Sequence, residues 1–349
     1  MGESRRIAVV GTGSWGTTLA VLMARAGHHT SLWARTPEEA ETLRSSRENM
    51  RFLPGVILPD ALSITSSLEE ALNPCDILLL VVPAQRMREN VGWVRPFLQA
   101  ETIVLSAAKG LEKETALRMS EVIAEGLPPA SGDRICVLSG PNLSREIVAG
   151  LPTGTVIASR SDEVTDFARD TIMTPQFRVY THHDVIGVEL GGALKNIIAL
   201  GAGAADQLGF GENAKAIFMT RGLAEIARLG VAAGANPLTF SGLAGMGDLV
   251  CTCASRHSRN HYLGEELARG RTLEDVERTL NSVAEGVNTT KAARTLAERY
   301  GVEMPITEQV YQVLFAGKDV RQAIRDMMLR EPKREFEGPV EDWLKRLQV

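Results

Sequence analysis

Arg6-Ile7-Ala8-Val9-Val10-Gly11-Thr12-Gly13-Ser14-Trp15-Gly16 is the stretch that decides the fold. An apolar, β-branched run enters a G-x-G-x-x-G loop, and residues 17–26 then read as a helix closed by Gly27. Gly11 allows the tight turn, Gly13 lets the backbone approach a pyrophosphate, and Gly16 permits close packing of helix on strand. The helix N-terminus adds unpaired N–H groups facing the phosphates. The pattern alone is weak, but strand before it and helix after it make it a dinucleotide-binding fingerprint.

Outward from this loop, short β-branched runs alternate with helical stretches up to about residue 185. Residues 6–11, 30–34, 76–83, 102–107, 134–139, 155–159 and 178–181 read as strands. Runs such as Ile77-Leu78-Leu79-Leu80-Val81-Val82 are continuously apolar, as strands covered by helices on both faces must be. The expected class is α/β, with a parallel, doubly wound Rossmann-type N-terminal domain over 1–184. Beyond it helical periodicity takes over at 185–208, 213–233, 258–268, 272–280, 289–300, 307–316 and 320–328, giving an all-α C-terminal domain over 185–330. Residues 331–349 form a charged tail whose amphipathic piece, 340–347, reads as solvated surface. No internal repeat or low-complexity tract is visible.

At the end of the second strand, where NAD-specific proteins place an acid for the ribose 2′-hydroxyl, the chain reads Leu32-Trp33-Ala34-Arg35. With no carboxylate there, Arg35 is expected to pair with a 2′-phosphate or stack on adenine, which favours NADP over NAD; the alternative is a surface arginine without a coenzyme role. Val82-Pro83-Ala84 ends a central strand beside the ligand crevice and reads as wall. Trp15 could serve packing as readily as the coenzyme.

Composition sets the limits. At 349 residues, with 44% hydrophobic and 23% charged residues and a mean hydropathy of −0.03, the chain has the make-up of a globular protein with more than one core. The longest apolar stretch, 185–205, carries Glu189 and Lys195 and is built from Gly and Ala, so a buried helix is expected rather than a membrane span. No signal peptide is visible at the start, which makes the cytoplasm the expected compartment. A net charge of −5 without arginine-rich runs argues against nucleic acid as a partner, so anion binding must be local. Cys75, Cys136, Cys251 and Cys253 form no Cys-x-x-Cys pair and read as buried thiols. The six histidines form no metal-binding pattern, so no metal is expected; His28-His29 and His182-His183 read as turn residues, and His257 and His261 as loop residues near a substrate segment.

Lys195 is the only charge between Leu190 and Ala205. Burial there disfavours its ammonium form and would bring its pKa towards the range a general acid or base needs. A lysine snorkelling to the surface is the competing reading. Gly191, Gly192, Ala193 and Ala199 leave room for a ligand or a close partner helix.

Around this lysine, Gly192-Ala193-Leu194-Lys195-Asn196-Ile197-Ile198-Ala199 continues to Gly209-Phe210-Gly211-Glu212-Asn213-Ala214, and the whole resembles the signature of the bacterial NAD(P)-dependent glycerol-3-phosphate dehydrogenases. The likeness extends through residues 107–112, 220–225, 245–249 and 258–260, and covers about residues 5 to 330. It implies a second domain like the C-terminal domain of 6-phosphogluconate dehydrogenase. It implies reduction of dihydroxyacetone phosphate to sn-glycerol 3-phosphate, with Lys195 as proton donor and acceptor and with the product feeding glycerophospholipid synthesis. Substrate contacts fall on Lys109, Gly140, Asn142, Lys195, Asp248, Ser258, Arg259 and Asn260. Coenzyme contacts fall on Ser14, Trp15, Arg35, Lys109, Ser144, Arg259, Val283 and Glu285, beside the loop glycines Gly11, Gly13 and Gly16. A homodimer is also implied. Where the family usually shows Ser or Thr, an aromatic, then Ala after Gly140-Pro141, this chain has Asn142, Leu143 and Ser144, which places those contacts in question; Ala204 and Gln207 are smaller departures. Read from the residues alone, Ser258 could be simply a helix cap and Arg259 a solvated charge. Two rivals share the architecture: a 3-hydroxyacid dehydrogenase of the 6-phosphogluconate type, and a dinucleotide sensor without chemistry.

Overall fold

A computed structural model describes residues 3–256, 258–279, 284–331 and 335. Ten strands run β1 (Arg6–Val10), β2 (His29–Trp33), β3 (Glu48–Asn49), β4 (Leu53–Ile57), β5 (Leu62–Thr65), β6 (Ile77–Leu80), β7 (Ile103–Ser106), β8 (Ile135–Ser139), β9 (Thr153–Ala158) and β10 (Phe177–His182). Seven helices accompany them: α1 (Ser14–Arg25), α2 (Pro37–Ser46), α3 (Leu68–Leu72), α4 (Met87–Val94), α5 (Met119–Gly126), α6 (Ser144–Val148) and α7 (Asp162–Ile172). Among the described residues eight follow the last strand: α8 (Val185–Gln207), α9 (Gly211–Ala232), α10 (Asp248–Ala254), α11 (Arg259–Ala268), α12 (Leu273–Thr279), α13 (Glu285–Tyr300), α14 (Pro305–Phe315) and α15 (Val320–Met328).

Eight strands form one sheet in the order β10-β9-β8-β7-β6-β1-β2-β5. The order reverses between β1 and β6, the switch point where doubly wound sheets open their ligand crevice. The apolar runs work as expected, because the strands at the middle of the sheet, such as β1, β6 and β7, feed two cores at once. Ile7, Val9, Leu32, Leu79 and Leu105 pack on one face. Ala8, Val10, Trp33, Leu78, Leu80 and Val104 pack on the other.

The sheet departs from expectation in two ways. It is mixed rather than parallel, since β9 runs antiparallel to β8 while β10 follows β9 in parallel. Strand direction leaves no mark in an apolar run, so the sequence pattern carries no signal for it. The edge strand β5 and the β3–β4 hairpin also went unanticipated; they are two to five residues long, too short for periodicity to register.

Among the described residues one helix, α8, is long and apolar enough to cross a membrane, and it lies buried in the fold. It packs against α9, α10, α11 and α13. Its small residues serve close helix contact: a side chain at Gly203 would strike the carbonyl of His261 on α11, and one at Gly264 on α11 would strike the carbonyl of Leu200. Two buried carboxylates fasten the helices. Glu225 of α9 accepts the Ile306 and Thr307 N–H groups at 2.8 and 2.9 Å, capping α14. Glu189 of α8 takes Arg118 Nη1 at 2.6 Å and the N–H of Ser120 at 2.8 Å, tying α8 to the start of α5. Burial raises the pKa of both carboxyls against the pull of these donors.

Candidate active site

The glycine loop leaves β1 with Gly11 at φ +123°, a conformation that favours glycine, and closely abuts the Val81 carbonyl of the neighbouring strand. Gly13 is the N-cap of α1; no side chain caps the helix, and nothing lies within 4 Å of where a Gly13 Cβ would stand. The first N–H groups of α1 therefore have no side-chain cap. Asn49, from β3, braces the loop by donating to the Thr12 carbonyl at 2.7 Å and the Thr17 hydroxyl at 2.8 Å, a role that sequence reading missed. Trp15 packs near Phe177 with ring centroids 6.4 Å apart, and its indole N–H is buried without a partner among the described residues. Both readings of this tryptophan therefore have an observation behind them. Arg35 is exposed at the end of β2.

The supposed absence of a carboxylate at this place is corrected by the structure. Glu39, in the first turn of α2, reaches back to accept the Thr12 hydroxyl at 2.5 Å and the Arg35 N–H at 3.2 Å. It was overlooked because it arrives from the helix, four residues beyond the strand-end position.

Lys195 sits midway along α8 and is 5% exposed, so the snorkelling reading fails. Its ammonium donates to Asp248 Oδ1 and, at 2.6 Å, to Thr252 Oγ1. Lys109, just past the end of β7, donates to the other oxygen of Asp248 at 2.8 Å and to the Gly140 carbonyl at 2.7 Å. Gly192 leaves room for the end of β8: a side chain there would collide with Ser139 Oγ, while Lys109 Cγ would lie at ordinary contact distance. Burial, opposed by Asp248 and reinforced by Lys195, lowers the pKa of Lys109 to about 8. Asp248 lies at the start of α10, after the π-helical turn Leu243–Gly247. Thr252, one helical turn on, was missed; the i, i+4 spacing from Asp248 was the available signal.

A hydrogen-bond chain links this group to α11 and α13. Gly286 N–H donates to Asn260 Oδ1, and Asn260 Nδ2 to Asn196 Oδ1, both at 2.9 Å; Asn196 Nδ2 donates to the Lys109 carbonyl at 3.3 Å. Ser258 is the N-cap of α11, accepting the His261 N–H at 3.3 Å, so the plain capping reading is correct as far as it goes. Arg259 is exposed and electrostatically coupled to Glu285. Glu285 Oε1 accepts the Ala84 N–H at 3.1 Å, joining α13 to the end of β6, while its enclosed Oε2 and the nearby Thr289 hydroxyl have no partner among the described residues. Burial raises the pKa of this carboxyl.

Asn142 accepts from Thr155 Oγ1 at 3.2 Å and leaves its amide N–H groups unpartnered, and Ser144 opens α6. Val283 and His257 lie outside the described residues. His261 corrects its reading as a loop residue: it is buried in α11, 2.8 Å from Asp206 Oδ2. Two of the turn histidines are also corrected, since His29 opens β2 and His182 ends β10. Cys75, Cys136 and Cys253 are buried, but Cys251 is half-exposed.

Two lysines on one carboxylate, in a chain that also carries a Rossmann glycine loop, invite comparison with known dehydrogenases. Residues 6–165 match the model for the N-terminal part of NAD-dependent glycerol-3-phosphate dehydrogenase and residues 184–325 the model for its C-terminal part. The chain belongs to this family. A glycerol-3-phosphate dehydrogenase [NAD(P)+] from Chlorobium limicola is 51% identical over 329 residues, covering 94% of this chain and 99% of the relative. One from Desulfitobacterium hafniense is also 51% identical, over 95% of this chain and 93% of the relative. The crystal structure of glycerol-3-phosphate dehydrogenase from Coxiella burnetii superposes with a TM-score of 0.89 at 35% identity, covering 94% of this chain and 99% of that one. A ketopantoate reductase from Ralstonia eutropha, at 15% identity and a TM-score of 0.58, shares the fold with this glycerol-3-phosphate dehydrogenase family member.

Proposed function

We propose that this chain reduces dihydroxyacetone phosphate to sn-glycerol 3-phosphate with NAD(P)H, and catalyses the reverse oxidation. The observation that carries the reading is the arrangement of Lys195, Asp248 and Lys109, two lysine ammonium groups hydrogen-bonded to one buried carboxylate.

The bound coenzyme supplies or accepts a hydride. Gly11, Gly13, Ser14, Trp15 and Gly16 would hold its pyrophosphate; the open flank of Gly13 and the unpartnered Trp15 N–H support that fit. Arg35 would stand at the adenosine end, where a guanidinium supports use of NADP. Lys109, Ser144, Arg259, Val283 and Glu285 complete the candidate coenzyme set, and the unpartnered Oε2 of Glu285 supports its share.

Lys195 donates a proton to the C2 oxygen in reduction and removes it in oxidation. Asp248 fixes the Lys195 ammonium from below, and Thr252 sets its direction. The positive charge of Lys109 and Lys195 stabilises the developing alkoxide. Asn260 aligns α11 on α8, and Ser258 and Arg259 at the start of α11 bring hydroxyl, guanidinium and helix N–H groups to the substrate phosphate. Gly140 meets Lys109 through its carbonyl, and the unpartnered amide of Asn142, two residues on, would donate to substrate.

We place the division between coenzyme and substrate domains at 184/185, the tail at 331–349, the protein in the cytoplasm and its assembly as a homodimer. Turnover of dihydroxyacetone phosphate with NADPH or NADH tests the reading. Coenzyme binding without turnover would instead favour a sensor, and turnover confined to a 3-hydroxyacid would favour the 6-phosphogluconate-type rival.

A further inference from the structure

We propose that Glu39 reads the 2′ position of the coenzyme's adenosine ribose, accepting the free 2′-hydroxyl of NAD(H) and opposing the 2′-phosphate of NADP(H), so that Glu39 and Arg35 together set the coenzyme ratio.

Thr36-Pro37-Glu38-Glu39 has the form of a capping box, in which the fourth residue would fold back onto the N–H of the first. Thr36 does cap α2, its hydroxyl accepting the Glu39 N–H at 3.2 Å. The Glu39 carboxylate does something else. It passes Thr36 and bridges the Arg35 N–H at the end of β2 to the Thr12 hydroxyl inside the glycine loop. A ribose held between the glycine loop and the second strand end meets the protein at this place. A carboxylate here has acceptor lone pairs to spare for a hydroxyl, and it repels a dianionic phosphate. The Arg35 side chain makes no ion pair with Glu39 or with any other described residue, so neither charge cancels the other in advance. The chain thus carries an acid for one coenzyme and a base for the other, and removal of either must tilt the balance in opposite directions.

The inference rests on the proposed assignment of Gly11–Gly16 as the coenzyme loop, and the test separates the two. Kd values for NADH and NADPH are measured by nicotinamide fluorescence, with 5′-AMP and adenosine 2′,5′-bisphosphate as competitors, for the unaltered protein, Glu39→Gln, Glu39→Ala, Arg35→Asp and Gly13→Val. Because Thr36 caps α2 through backbone atoms of residue 39, both Glu39 variants keep the cap. Each should bind NADPH about tenfold more tightly relative to NADH than the unaltered protein does, with the bisphosphate gaining on 5′-AMP likewise. Arg35→Asp should shift the ratio the other way. Equal changes for both coenzymes in the Glu39 variants, or no change, would overturn the inference and leave Glu39 a brace for the loop. Gly13→Val fills space the structure leaves open and should abolish binding of both coenzymes; retained binding there would overturn the loop assignment instead.

Discussion

Lys109 and Lys195 hold opposite oxygens of one carboxylate, that of Asp248, although they come from different layers of the molecule, the end of β7 and the middle of α8. One acid thereby sets the separation of two cations, and its removal leaves both uncompensated in a buried place. Asp248→Asn keeps the shape and removes the charge. It should lower kcat by about a hundredfold or more and destabilise the fold by about 3 kcal/mol. Steady-state kinetics and urea unfolding check both; an unchanged urea midpoint would contradict the shared-counterion account.

Lys109 carries a pH signature. Its pKa, lowered to about 8 mainly by burial, lies below the ordinary lysine value, so the group is charged below pH 8 and neutral above it. If its charge helps hold the substrate, KM for dihydroxyacetone phosphate should rise as pH climbs through about 8. Lys109→Arg keeps the charge and should remove that limb of the profile. Identical pH profiles for the two proteins would exclude Lys109 as its source.

His28 predicts an acid limb in stability. Its Nδ1 accepts the Arg5 N–H at 3.1 Å, which requires a neutral ring, and its Nε2 lies 2.9 Å from the Thr171 carbonyl. Burial lowers its pKa in the fold. The unfolded chain therefore takes up the proton first, and stability conferred by the neutral ring is present above about pH 6.5 and lost as pH falls below it. Thermal midpoints between pH 7.5 and 5 should fall more steeply for the unaltered protein than for His28→Gln. Parallel curves would remove His28 from the account.

Much of the fold was legible because several local signals agreed. The loop glycines lie between an apolar strand and a helix, and the strands of the doubly wound half are apolar on both faces. What escaped notice has physical causes. An apolar run does not report its direction, which hid the antiparallel β9. Lys195 could be singled out because a lone charge in a Gly/Ala helix is conspicuous; Asp248 and Lys109 came only through resemblance, since each is ordinary in its own neighbourhood. Thr252, Asn49 and Glu39 act by contacts across 4 to 57 positions of chain, and one sequence does not show which of its many polar residues will meet.

The crossing of α8 and α11 should be sensitive to a single methyl group. A Cβ at Gly264 would collide with the Leu200 carbonyl, so Gly264→Ala must push α11, with Arg259 and Asn260, away from α8. A loss of about 1–3 kcal/mol in stability is expected, with KM for dihydroxyacetone phosphate raised and, because Arg259 moves with α11, Kd for NADH raised as well. Isothermal unfolding and coenzyme titration decide it; a substrate KM that stays put would show that α11 does not position the phosphate contacts.

The central claim is that Lys195 moves the proton at C2. Its most direct measurement is the single-turnover rate of hydride transfer in Lys195→Ala, saturated with NADH and dihydroxyacetone phosphate and accompanied by the Kd for NADH. The rate should fall by about 10²- to 10⁴-fold while the coenzyme still binds with near-normal affinity; a rate close to that of the unaltered protein would contradict the assignment.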